Sequence, residues 1–198
     1  MVFFMNLTVP DKLCEITSKS IVYEYLSMTE MRFKNEFYIK PLHDGLDSFS
    51  DKYKWTGSEP VEPEPLVPTH RIEPVGSTSG FERYKIIFGN KCYNKHDGPL
   101  KTGIFIESMR DTDQTACPYL STGIYDKTRN LSLEVCFPMN LNPTNIRKLE
   151  YIHYTDEEHY RCVRENSPEI ADNRKIIKWI IKKPIYGGKY VIDWELCD

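Results

Sequence analysis

The chain has 198 residues, 40% of them hydrophobic and 28% charged, with a formal net charge of −3. That length can bury a sizeable core, and the balanced charge excludes a broadly basic nucleic-acid binder. No apolar run approaches the roughly 18 residues a membrane-spanning helix needs, so no membrane span is expected.

Aromatic residues make up 13% of the chain. Aromatic side chains suit pleated, half-buried surfaces, so composition leans towards β structure. The opening Met1-Val2-Phe3-Phe4-Met5 is too short and lacks the basic flank of a secretion signal. The six cysteines, Cys14, Cys92, Cys117, Cys136, Cys162 and Cys197, are widely spaced and form no CxxC pair. Reduced thiols and a cytoplasmic location are expected.

Ile21, Tyr23 and Tyr25 alternate with polar neighbours. Met31, Phe33, Phe37 and Ile39 do the same, with only Asn35 breaking the row. Phe49, Tyr53 and Trp55 form a third alternating run. Period-two apolarity places one row of side chains on one sheet face. Asp44-Gly45 is a turn signal between the second and third runs.

Residues 57–80 hold Pro60, Pro63, Pro65, Pro68 and Pro74. Proline lacks the amide donor and fixes φ, so this stretch reads as a Pro-rich loop or linker within the domain. Strand patterning resumes at Phe81–Phe88, Ile104–Ile106 and Leu131–Phe137, then at Leu149, Tyr151 and His153.

Near the C-terminus, Ile177, Trp179 and Ile181 share one parity, as do Tyr190, Ile192, Trp194 and Leu196. Gly187-Gly188 lies between them, and the pattern predicts a β-hairpin. A rival reading starts a helix at Ser167-Pro168-Glu169, with a cap and a proline at the first helical position. The β-branched run that follows favours strand. The sum is a mostly-β fold with little helix: a single two-sheet antiparallel β-sandwich over residues 1–198, immunoglobulin-like or related.

Motifs that carry chemistry are sparse. His153 and His159, with Cys162 nearby, offer metal or thiol chemistry, but the spacing matches no standard zinc signature. Cys162 with His159 is the candidate thiol pair, yet no predicted helix start lowers its pKa. Asp111-Thr112-Asp113 lacks the glycine and distal acid of a calcium loop. No phosphate-binding glycine loop occurs. No cofactor is expected.

The basic C-terminal stretch supplies the candidate binding residues Trp179, Lys182, Lys183, Tyr186 and Tyr190. Aromatics among lysines suit stacking on a ligand or partner, although lysines also guard exposed sheet edges. Leu131–Pro138 followed by Trp179, Pro184, Gly187, Tyr190 and Trp194 resembles accessory all-β modules of bacterial regulatory and defence proteins. The resemblance is one of strand pattern and assigns no site. The sequence therefore points to a non-enzymatic binding or sensing module with a protein partner or a ligand. A thiol- or metal-dependent hydrolase and a disulfide-bonded extracellular structural domain are the alternatives.

Overall fold

The computed structural model describes residues 13–78, 80–113, 118–153, 160–166 and 175–197. Among them every regular element is a strand. The chain opens with two long strands, β1 (Cys14–Tyr25) and β2 (Glu30–Pro41), paired antiparallel. Met31, Phe33, Phe37 and Ile39 of β2 are buried as the alternation predicts, and Asn35 lies buried in the same row. After the turn at Gly45 (φ 86°) comes β3 (Ser48–Tyr53). Then follow β4 (Glu64–Pro65), β5 (Arg71–Thr78), β6 (Phe81–Ile87) and β7 (Leu100–Arg110). The remainder is β8 (Tyr119–Gly123), β9 (Asn130–Cys136), β10 (Asn142–His153), β11 (Tyr160–Asn166), β12 (Ile176–Lys182) and β13 (Gly188–Cys197).

The fold is mostly β and sandwich-like. Its described strands form three hydrogen-bonded sheets rather than two. They run in the orders β12-β9-β1-β2-β7-β4, β11-β10-β13-β8 and β3-β6-β5. One pairing departs from the antiparallel expectation: β1 runs parallel to β9, with Lys19 opposite Leu131 and Glu24 opposite Cys136. A parallel pair needs a long crossover connection, and here the strands between β1 and β9 provide it. A shared core draws on all three sheets, including Phe37 and Ile39, Phe49 and Ile86, and Tyr190 and Trp194.

Two expectations change. The Pro-rich stretch is more than a loop, because β4 and β5 lie within it. Both are edge strands of their sheets, where a missing amide donor costs no ladder bond. A bulge between Pro74 and Gly76 (φ 122°) absorbs the irregularity in β5.

The predicted C-terminal hairpin does not form. β12 pairs with β9, whereas β13 pairs with β10 and β8 in another sheet. Gly187 (φ 78°) does sit in a turn, closed by the Gly188 amide donating to the Ile185 carbonyl at 3.0 Å. That turn carries the chain from one sheet to the next. The Gly187 amide donates to the Ile124 carbonyl at 2.7 Å, and the Lys183 amide to the Arg129 carbonyl at 2.7 Å. The glycine pair signalled a turn but could not say which strand lay beyond it. Ile176–Lys182 is strand, not helix; Ser167-Pro168-Glu169 lies outside the described residues.

Candidate functional site

A cavity of about 1150 Å³ lies among the sheets. Its walls include Tyr23, Phe33, Ile106 and Met109 from the six-stranded sheet, and Leu120 and Trp194 from the four-stranded one. Burial holds the Tyr23 phenol well above its ordinary pKa and pushes Tyr25 up to about 12. Both phenols stay protonated at neutral pH and remain neutral lining groups.

Four polar side chains converge on the inner side of this space. Asn35 Nδ2 donates to Asp51 Oδ2 at 3.0 Å, and the Tyr84 hydroxyl reaches the same oxygen at 3.4 Å. Lys19 Nζ stands 3.8 Å from that oxygen and 5.1 Å from the centre of the Phe37 ring. Asn35 is only 2% exposed, and its Oδ1 has no hydrogen-bond partner among the described residues. A buried acceptor without a donor is costly, so its position is informative. Burial, then the charge of Asp51, holds the Tyr84 phenol far above its usual range.

Local structure explains how these groups arrive there. A bulge between Ile16 and Ser18 shifts the parity of β1. The inward row therefore passes from Ile16 to Lys19 and Ile21. Beside Asn35, β7 approaches closely at Gly103 (φ 148°), which lies opposite Glu36 and where a Cβ would collide with the Asn35 carbonyl oxygen. Only glycine permits this approach.

The open side of the cavity is cationic. Lys52, Lys54 and Arg83 line it and are exposed. Lys52 Nζ sits 4.5 Å from the Phe81 ring centre and 4.6 Å from that of Tyr125. Lys189 also lines it; burial, then the nearby charge of Lys54, lowers its pKa.

The C-terminal candidates are split by the structure. Tyr190 is fully buried, so it cannot serve a surface site; its hydroxyl donates to Glu150 Oε1 at 2.8 Å and accepts from the Ile185 amide at 2.8 Å. Trp179 is partly buried, with its ring 5.6 Å from that of Tyr190 in an edge-to-face contact. Lys182, Lys183 and Tyr186 are exposed. None of these residues lines the cavity.

The candidate metal pair is not brought into view, since His153 ends β10 and His159 lies outside the described residues. Cys162 is a strand residue of β11, opposite Tyr151. Among the described residues no group of three His, Cys, Asp or Glu side chains is placed to hold a metal. Cys92 and Cys136 are free thiols.

The residues missed from sequence are Lys19, Asn35 and Asp51 inside, and Lys52, Lys54 and Arg83 outside. Asn35 alone gave a signal, as the polar break in an apolar row.

No protein-family model matches the chain, and no curated protein matches it. Among solved structures, an M1 zinc metallopeptidase from Deinococcus radiodurans superposes with a TM-score of 0.46 at 6% identity, over 92% of this chain and 42% of that one. Yeast LTA4 hydrolase in complex with bestatin gives 0.43 at 8% identity, over 91% and 28%. This chain thus spans less than half the length of either enzyme. At these values neither likeness bears on what it does.

Proposed function

We propose that the protein is a non-enzymatic binding module that takes a small ligand between its sheets. The supporting observation is the cavity of about 1150 Å³, whose lining mixes apolar side chains such as Phe33, Ile106 and Met109 with polar ones such as Asn35 and Asp51. Small-molecule sites run to about 300–1,000 Å³ and pair apolar surface with placed polar groups, so this space is large enough to hold a ligand. Cys136 supports no catalytic alternative: burial, then the charge of Glu134, pushes its thiol up to about 11, which leaves it a poor nucleophile at neutral pH.

A neutral apolar fluorophore, N-phenyl-1-naphthylamine, tests the reading. Saturable binding at one site per chain is expected. Ile106→Trp, which fills the cavity, should abolish it while leaving the circular dichroism spectrum unchanged. Absence of saturable binding to the wild-type protein, both of this compound and of its anionic analogue 1-anilinonaphthalene-8-sulfonate, would refute the proposal. So would undiminished binding to a folded Ile106→Trp protein.

A further inference from the structure

The cations at the open side of the cavity identify the kind of ligand. Lys52 on β3 lies directly opposite Arg83 on β6. Lys54 follows two residues after Lys52, and alternation along an extended chain keeps the pair on one side. Like charges directly across a strand pair are unfavourable. Among the described residues none of the three makes an ion pair. Lys189 adds a fourth cation from β13.

Edge protection does not account for this set. It explains lysines on β3, an edge strand. It does not explain Arg83, because β6 is the central strand of its sheet, nor Lys189, because β13 is interior to a different sheet. Three strands of two sheets bring positive charge to one opening. Of the carboxylates that line the cavity, Asp51 is engaged with Lys19, Asn35 and Tyr84, and Asp111 with the Ser58 amide at 3.2 Å; with Asp126 they are outnumbered by the lining cations Lys19, Lys52, Lys54, Arg83 and Lys189.

We infer that the ligand is an amphipathic anion, with its apolar body between the sheets and its carboxylate or phosphate against Lys52, Lys54 and Arg83. This rests on the cavity reading and adds the charge of the ligand to it. The aromatic rings beside Lys52 hold its ammonium over Phe81 and Tyr125, which presents the charge at the opening. Inside, the unpartnered Asn35 Oδ1 would accept a hydrogen bond from a hydroxyl or amide on the ligand body.

Two fluorophores with the same ring system separate charge from apolarity. 1-Anilinonaphthalene-8-sulfonate carries an anion; N-phenyl-1-naphthylamine does not. The wild-type protein should bind the sulfonate at least about tenfold more tightly, about 1.4 kcal/mol. In Lys52→Ala/Lys54→Ala/Arg83→Ala the preference, read as the ratio of the two affinities, should vanish. All three sites are exposed, so the variant should fold. Laurate and dodecyl phosphate should displace the sulfonate and so rank carboxylate against phosphate. Dodecyltrimethylammonium should compete at least about tenfold more weakly. Equal affinity for the two fluorophores in the wild-type protein overturns the inference but leaves the cavity reading standing. A preference that survives the triple substitution, or equal competition by the cation, also overturns it. Failure of both fluorophores to bind removes the cavity reading itself.

Discussion

Asn35 on β2 and Asp51 on β3 are joined by a 3.0 Å hydrogen bond that crosses from the six-stranded sheet to the three-stranded one. Lys19 and Tyr84 meet the same carboxylate oxygen. A partly satisfied polar network inside an apolar setting strengthens each bond it makes and penalises each one it lacks.

Asp51→Ala should therefore destabilise the protein by about 1–3 kcal/mol, the cost of leaving buried donors without an acceptor. Asp51→Asn, which keeps one acceptor oxygen, should cost less. Urea denaturation of the two variants measures both. An Asp51→Ala protein within about 0.5 kcal/mol of wild type, the range of an ordinary surface change, would show that the bridge does not hold the sheets together.

Period-two alternation made most strands legible. It marked Leu131, Leu133 and Val135, all fully buried, and the Met31, Phe33, Phe37 and Ile39 row of β2. It failed where geometry departs from strict alternation. The bulge after Ile16 put Lys19 on the inner face, and nothing local in the sequence announces a one-residue parity shift. The Gly187-Gly188 turn was visible, but the partner of each flanking strand is decided by non-local packing. For the same reason the cavity was illegible: Lys52, Arg83 and Lys189 are brought together only by three strands of two sheets.

Glu15 gives a pH-dependent test. It is 4% exposed and accepts from Arg129 at 3.1 and 2.8 Å, with Lys127 at 3.1 Å. Hydrogen bonding to Arg129 is the largest effect, and the pKa falls from 4.5 to about 2. A carboxylate depressed in the folded state contributes stability above its unfolded pKa, and that contribution is lost as pH falls through the folded value. The melting temperature of wild type should thus exceed that of Glu15→Gln above about pH 5. The gap should close between about pH 4.5 and 2. A gap independent of pH would contradict the ion-pair account.

Cys136 should resist alkylation. Its thiol, pushed up to about 11, reaches Glu134 Oε1 at 3.6 Å. At pH 8 only about one molecule in a thousand would carry the thiolate that reacts. Iodoacetamide labelling followed by peptide mapping should modify exposed Cys92 well before Cys136. Rapid labelling of Cys136 would reopen a nucleophilic role for it.

Tyr190 separates an architectural role from a binding role at the C-terminus. Burial pushes its hydroxyl up to about 12, so it remains a donor to Glu150 while accepting from the Ile185 amide. It thereby ties the turn before β13 to β10. Tyr190→Phe keeps the ring against Trp179 and removes only the oxygen. The change should cost about 1–2 kcal/mol, the range for a buried hydrogen bond whose partners remain. It should also speed deuterium exchange at the Ile185 amide, because local opening of that turn becomes easier. Binding of the cavity fluorophores should be unaffected, since Tyr190 does not line that space. Unchanged stability and exchange, combined with lost ligand binding, would return Tyr190 to a recognition role.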